Sequence, residues 1–178
     1  IIKTIIMIQA RTKSIRLPNK VLKPVGDRHS VLGLCVRRAQ KSMEAQEVVV
    51  VTTSEPEDFL IIDEANKLGV RSFRGSDTDV LGRYFNAAKD FNADIVVRVT
   101  SDCPFIDPEL IDQSIRHLKL SSADYYCNQE PFLYPDGMDV DVFTFEILEK
   151  AFNEASSNYD REHVTPFLKK NNALKKGE

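Results

Sequence analysis

The 178-residue chain is 42% hydrophobic and 29% charged, a balance that excludes a disordered protein and suits one globular domain. Because it has neither the roughly 20 successive apolar residues of a membrane span nor the features of a secretory signal, we expect a cytoplasmic protein with no membrane partner. Its net charge of −3 and its three cysteines, none paired at metal-ligand spacing, argue against nonspecific nucleic-acid binding, a disulfide framework and a zinc site.

The apolar pattern predicts strands and helices in alternation along the chain. Short apolar runs predict strands, in chain order at residues 5–8, 48–51, 70–73, 95–97, 124–127 and 139–143. Hydrophobic residues at helical spacing predict helices at residues 30–43, 54–68, 81–88, 107–119, 145–155 and 161–170. The last carries Pro166, which a helix tolerates only in its first turn. This alternation implies parallel crossovers and a single domain, residues 1–178, folded as a three-layer α/β/α sandwich.

Capping signals mark three of the predicted helix starts. Ser30 can cap the first helix through its hydroxyl. Ser54 and Glu57 have the spacing of a capping box for the second helix. Asp107 and Pro108 have the pattern of a cap and a first-turn proline. These signals support the predicted helix boundaries independently of the apolar pattern.

The segment that follows the first strand is strongly basic. Residues 11–28 contain six cationic residues and one acid, and ligands of such sheets bind outside the carboxyl ends of the strands. With no glycine before Gly26, the segment is neither a Walker A loop nor a dinucleotide-binding turn. Arg11, Arg16 and Lys20 could instead neutralise a triphosphate with their side chains. The spacing fits a small polyanion as partner and a solvated basic loop equally well.

Polar side chains also follow the second and fourth predicted strands. Thr52 and Thr53 could contact a base or a ribose. Asp102 lies opposite the basic loop and is well placed to hold Mg²⁺ against phosphates, although it could instead cap a turn before Pro104. Cys103 could serve as a nucleophile, but a packing role is favoured.

Two acids near the end of the chain suggest a further contact region. If Asp139 and Asp141 lie in one strand, their side chains point to the same face. Two acids on one strand face are unusual in a core, so they predict either a water-filled site or an exposed face of the sheet.

Several long segments form one set of motifs. They comprise residues 10–20 (A-R-T-x-S-x-R-L-P-x-K), 73–76, 79–83, 93–104, 106–108, 134–140 and 161–166. Together they cover almost the whole chain. They resemble the CMP-sugar synthetases, a group that includes the CMP-KDO and acylneuraminate cytidylyltransferases. The closest likeness is to the spore coat polysaccharide biosynthesis protein F (SpsF) family.

The resemblance implies a nucleotide-diphospho-sugar transferase fold with a mostly parallel mixed sheet. It implies transfer of CMP from CTP to a sugar or sugar acid, with release of pyrophosphate, in polysaccharide biosynthesis. It also implies Mg²⁺ as cofactor and a homodimer. Carried over by position, the nucleotide would contact Ala10, Arg11, Ser14, Arg16, Lys20, Thr52 and Thr53. Asp102 would hold the metal, and the sugar would face Tyr134, Asp139 and Asp141. As catalytic residues the resemblance points to Arg11, Arg16, Lys20 and Asp102.

The sequence departs from the family pattern in two places. Family members usually continue beyond residues 161–166 with a strand that ends in an acidic segment, whose acid is often the second metal ligand. The sequence ends at Glu178 without such a segment, so we expect a domain that lacks a C-terminal part. Lys13 and Ile15 stand where the family often has Gly and Thr, which adds a charge and removes a hydroxyl group.

Two other functions fit the sequence. A glycosyltransferase on the same fold would use a finished nucleotide sugar, and such enzymes commonly place an acid-x-acid pair after the fourth strand. Here Ser101 and Cys103 flank Asp102, which favours the nucleotidyltransferase. A non-catalytic nucleotide-binding relative is the second alternative. The choice of base, the sugar and the general base stay open, with Asp139 as a candidate base.

Overall fold

The computed structural model describes residues 2–14, 17–129 and 134–170. Its strands are β1 (Thr4–Gln9), β2 (Pro24–Val25), β3 (His29–Ser30), β4 (Glu47–Thr53), β5 (Arg71–Gly75), β6 (Ile95–Thr100), β7 (Tyr125–Cys127) and β8 (Asp141–Thr144). Its α-helices are α1 (Val31–Ala39), α2 (Phe59–Lys67), α3 (Val80–Asp90), α4 (Pro108–Ser121), α5 (Phe145–Glu154), α6 (Asn158–His163) and α7 (Pro166–Lys170). In these residues, no helix has the length and apolar character needed to span a membrane.

Six strands form one mixed sheet in the order β5-β4-β1-β6-β8-β7. The first four of these run parallel, with β1 between β4 and β6. Strand β8 pairs antiparallel with β6, and β7 pairs antiparallel with β8. Strands β2 and β3 form a separate small hairpin. The predicted mostly parallel mixed sheet is therefore confirmed.

Helices cover both faces of this sheet, as the continuous apolar run in β1 predicts. Ile5 and Met7 pack into the core on the side of α3 and α5. Ile6 and Ile8 point the opposite way, into the core on the side of α1, α2 and α4. All four side chains are fully buried. The alternation places one core on each face of the sheet, and the three-layer sandwich predicted from sequence is confirmed.

Two of the three predicted caps form. The Ser30 hydroxyl accepts a hydrogen bond from the Gly33 amide at 2.8 Å, and the Asp107 carboxylate accepts one from the Glu109 amide at 2.9 Å. The predicted capping box at Ser54 is wrong. A short 3₁₀ turn, Pro56–Asp58, precedes α2, while the Ser54 amide donates to the Gly75 carbonyl at 2.8 Å and so stays attached to the sheet.

The last part of the chain differs from its prediction in two respects. The helix predicted over residues 161–170 is two helices, separated at Val164, whose φ of 70° ends α6. Pro166 opens α7, which is the first-turn position that proline tolerates. Strand β8 begins only at Asp141, so Asp139 lies before the strand and the two acids do not share one strand face.

Candidate active site

A cleft of about 930 Å³ opens at the carboxyl ends of the parallel strands. Gln9 at the end of β1 pairs directly with Thr100 at the end of β6, which brings the segments after these two strands side by side. The described residues that line the cleft include Gln9, Ala10, Arg11, Lys13, Ser14, Lys20, Asp77, Asp79, Arg83, Arg98, Asp102, Asn158, Arg161, Glu162 and His163. Half of the described lining residues are charged, which fits a polar and charged ligand.

The basic segment after β1 forms one wall of this cleft. The Asn19 amide donates to the Thr12 carbonyl at 3.0 Å and so closes the loop on itself. Arg11 and Lys13, each with 52% of the side chain exposed, lie on either side of the buried Thr12. The structure thus brings Ala10, Arg11, Ser14 and Lys20 together at one surface, as the sequence predicts, while Arg16 lies outside the described residues.

Lys20 and Asp102 meet across the cleft floor, with Nζ and Oδ2 2.7 Å apart. Burial raises the pKa of the Asp102 carboxyl, but hydrogen bonds from Lys20 and Thr100 outweigh this and hold the pKa below its usual range. Asp102 is therefore ionised at neutral pH. With side chains 35% and 47% exposed, the two partners can separate when a ligand binds.

Asp102 is a carboxylate that faces the cationic loop and could contribute to a metal site. Among the described residues no group of three His, Cys, Asp or Glu side chains could hold a metal ion. Mg²⁺ commonly takes one or two carboxylates and completes its shell with phosphate oxygens and water. The ionised Asp102 lies beside Lys20 and near the other cations of the loop, which fits that chemistry.

The opposite wall is held by an ion pair between α3 and α6. The Arg161 guanidinium donates through Nε and Nη2 to the two carboxylate oxygens of Asp79, and its Nη1 donates to the Phe152 carbonyl at 2.7 Å. Asp79 also caps α3 by accepting from the Gly82 amide at 2.9 Å. This arrangement fixes α6, and with it Glu162 and His163, at the edge of the cleft.

Because this ion pair leaves no room for a side chain at Gly82, we expect Gly82→Ala to lower the stability of the protein by about 1–3 kcal/mol. A Cβ there would clash with Asp79 Oδ2, so the carboxylate would have to shift, which disturbs its bonds to Arg161 and to the Gly82 amide. Chemical denaturation measures the change. In an Asp79→Ala background the same substitution should stabilise the protein by up to about 1 kcal/mol, the helix propensity of alanine over glycine. Destabilisation in both backgrounds would contradict the steric explanation.

A second ion pair lies beneath the cleft in the core. Arg98 Nη1 lies 3.0 Å from Asp141 Oδ2, and Arg98 Nε donates to Gln9 Oε1 at 3.2 Å. The Tyr125 hydroxyl donates to Asp141 Oδ1 at 2.8 Å. Asp141 is only 3% exposed. The expectation that Asp141 belongs to a water-filled or exposed face is therefore wrong, because an interior arginine of β6 and a tyrosine of β7 take up its carboxylate.

Other residues predicted for the ligand lie outside the described cleft lining. Thr52 and Thr53 are fully buried, and the Thr53 hydroxyl donates to Asp58. Tyr134 is 42% exposed but, like Asp139, does not line the cleft. Burial and the neighbouring carboxylates raise the pKa of Asp139. The roles assigned to these four residues stay predictions.

Cys103 has the environment of a packed thiol. It is 6% exposed, its Sγ lies 3.1 Å from the Thr100 hydroxyl, and burial raises its pKa. Burial also raises the pKa of the neighbouring Cys35 to about 12. Both thiols are therefore protonated at neutral pH, which supports the packing role favoured from sequence.

Sequence reasoning assigned no role to three cleft residues, Arg83, Arg98 and Arg161. The position of Arg98 within an apolar strand could have predicted a buried acidic partner, because a charge in a core requires one. Arg83 and Arg161 lie in the motifs at 79–83 and 161–166, which by themselves do not assign either residue to the cleft. Arg161 is placed by its contact with the distant Asp79, whereas Arg83 donates to the nearby carbonyls of Ser76 and Asp77.

The chain is similar to known proteins in both sequence and fold. The chain matches the family model of the cytidylyltransferases over residues 5–176. It is 44% identical over 169 residues to an uncharacterized protein of Methanocaldococcus jannaschii, covering 95% of this chain and 68% of that protein. It is 32% identical over 167 residues to the spore coat polysaccharide biosynthesis protein SpsF of Bacillus subtilis, covering 88% and 69%. A solved cytidylyltransferase from Leptospira borgpetersenii superposes with a TM-score of 0.93 at 38% identity, covering 98% and 74%.

Proposed function

Since the chain belongs to the cytidylyltransferase family and is thus a nucleotidyltransferase, we propose that it transfers CMP from CTP to a sugar or sugar acid. The observation that carries this proposal is the pairing of a cationic loop with one ionised carboxylate, Lys20 with Asp102, at the carboxyl edge of the sheet. Phosphates match the loop and a divalent cation matches the carboxylate. The SpsF relative favours a sugar of a cell-surface polysaccharide, such as a spore coat, as the acceptor.

In the proposed reaction a sugar hydroxyl attacks the α-phosphorus of CTP. A bond forms between that oxygen and the α-phosphorus, the bond to the bridging oxygen of the β-phosphate breaks, and pyrophosphate leaves. Such transfers depend on positioning and on neutralisation of charge. Arg11, Ser14 and Lys20 would bind the phosphates and stabilise charge that builds on the pyrophosphate.

Asp102 would hold Mg²⁺, which when bound would neutralise phosphate charge and polarise the reacting phosphate. For this, Lys20 would leave Asp102 and turn to a phosphate oxygen, an exchange that the partial exposure of both side chains permits. The sugar would occupy the side of the cleft formed by Asn158, Arg161 and His163, opposite the cationic loop. A homodimer and a cytoplasmic location belong to the same proposal through the resemblance to CMP-sugar synthetases.

The proposal is tested by pyrophosphate release. We expect release with Mg²⁺, CTP and one class of sugar or sugar acid from a panel, and much less with UTP, ATP or GTP. Reactions without acceptor or with a chelator provide the background. Release that requires no sugar would contradict transfer to an acceptor. CTP binding without release in any combination would favour a non-catalytic nucleotide-binding role instead.

A further inference from the structure

Asp58 is a buried carboxylate that lies behind the cationic loop and outside the cleft lining. It ends the 3₁₀ turn that follows β4 and is only 2% exposed. Its Oδ1 accepts two hydrogen bonds from Thr12, one from the amide at 2.7 Å and one from the hydroxyl at 2.6 Å. Its Oδ2 accepts from the Thr53 hydroxyl at the end of β4. One carboxylate therefore ties the loop to a neighbouring strand.

Every polar group of Thr12 forms a hydrogen bond. Its amide and hydroxyl donate to Asp58, and its carbonyl accepts from the Asn19 amide at 3.0 Å. Burial along the loop alternates: Arg11 is exposed, Thr12 is 4% exposed, and Lys13 is exposed again. While Thr12 is held inward, Arg11 and Lys13 on either side of it are exposed and line the cleft.

The charge of Asp58 cannot serve the anion directly. Burial raises the pKa of its carboxyl, but the hydrogen bonds from Thr12 and Thr53 together lower the pKa below its usual range. The group is thus ionised at neutral pH, and a buried negative charge close to a phosphate site weakens phosphate binding. The loop has no glycine between Ala10 and Lys20 and cannot wrap phosphates with its backbone, so correct placement of its side chains matters more than this cost.

We propose that Asp58 is a positioning residue that anchors the loop at Thr12 and thereby presents Arg11, Lys13 and Ser14 to the triphosphate. The identity of the ligand in this inference rests on the proposed function. The anchoring of the loop depends only on the hydrogen bonds of Asp58 to Thr12 and Thr53. Asp58 itself touches neither phosphates nor sugar.

Asp58→Ala is expected to raise KM for CTP in the pyrophosphate assay by about tenfold or more, with a smaller change in kcat, because charged hydrogen bonds that order the loop are lost. Asp58→Asn keeps an acceptor oxygen for Thr12, so KM should return to within about threefold of wild type. A KM that is equally raised in both variants would overturn the anchoring role, since the acceptor oxygen that Asp58→Asn keeps for Thr12 would then make no difference.

Asp112 provides a matched control. Its carboxylate is 4% exposed and accepts from the Ser42 hydroxyl and from the Met43 and Glu44 amides, but it does not line the cleft. Asp112→Ala leaves three donor groups without their carboxylate, as Asp58→Ala does, and should lower the unfolding temperature similarly. It should leave KM for CTP unchanged. An equal rise of KM in both variants would show a general loss of stability and would overturn the inference.

Hydrogen–deuterium exchange separates the anchor from the proposed function, because it needs no substrate. The peptide that contains the Thr12 amide should exchange faster in Asp58→Ala than in wild type and should be unaffected in Asp112→Ala. Unchanged exchange in Asp58→Ala would overturn the anchor even if KM rises. If the wild-type chain binds no nucleotide, the proposed function fails, and hydrogen–deuterium exchange alone tests whether Asp58 anchors the loop.

The variant Thr12→Val serves if Asp58→Ala does not fold. It removes one of the two hydrogen bonds from Thr12 to Asp58 and should show the same changes in exchange and KM at smaller size.

Discussion

Asp102→Ala is expected to slow pyrophosphate release by about 10³-fold or more, since charge neutralisation by a bound cation contributes several kcal/mol to such reactions. The protein should remain folded. Asp102 and Lys20 form a half-exposed pair, and loss of such a pair costs at most about 1 kcal/mol, or roughly 4 °C in the unfolding midpoint. Initial rates over a range of Mg²⁺ concentrations, with thermal unfolding of the same samples, measure both effects.

The exposed Glu109 offers a control for the loss of an ion pair. It pairs with Arg116 at 2.6 Å on α4 and does not line the cleft, so Glu109→Ala should lose a comparable contact and keep full activity. Asp102→Asn keeps the shape of the side chain and removes its charge, and it should be nearly as inactive as the alanine variant. If Asp102→Ala released pyrophosphate at the wild-type rate in a Mg²⁺-dependent way, Asp102 would not be the residue that holds the metal.

Asp141→Ala should have the largest effect on stability. It leaves the Arg98 guanidinium buried without its carboxylate and the Tyr125 hydroxyl without its acceptor. Breaking one partner of a buried pair typically costs about 3–5 kcal/mol, which corresponds to a fall of roughly 6–20 °C in the unfolding midpoint. Chemical denaturation gives the free energy of unfolding, and thermal unfolding gives the midpoint.

Removal of the second charge distinguishes an unpaired cation from a simple cavity. The double variant Arg98→Met, Asp141→Ala contains no unpaired buried charge and should be more stable than Asp141→Ala alone. Asp141→Asn, which keeps an acceptor for Tyr125, should fall between wild type and Asp141→Ala. A double variant that is less stable than the single one would show that lost packing, and not the stranded charge, causes the effect.

The fold was predictable because its signals are local. The continuous apolar run at residues 5–8 indicated a strand covered on both faces, and Ser30 and Asp107 marked helix starts through hydrogen bonds within three residues. The capping box at Ser54 failed because that residue bonds instead to the neighbouring strand β5. The break at Val164 requires a positive φ that its β-branched side chain gives no reason to expect.

The candidate site was predictable only on one wall. The density of cations after β1 and the lone Asp102 after β6 were visible in the sequence, and parallel strand order brings them together. Arg161 could not be placed, because its carboxylate partner Asp79 lies in a distant helix cap. Nothing local distinguishes Asp58 from the neighbouring acids Glu55 and Glu57, and its burial accompanies contacts with the distant Thr12.

The two ion pairs that frame the cleft have a consequence for how the protein folds. Lys20 with Asp102 and Asp79 with Arg161 each join residues 82 positions apart. Closure of such long segments carries an entropic cost that is recovered only once the intervening strands have paired. We therefore expect the cleft to be among the last parts of the molecule to take shape during folding. A chain that emerges from the ribosome cannot assemble both walls until Arg161 has been synthesised, so early intermediates will not present the complete cleft.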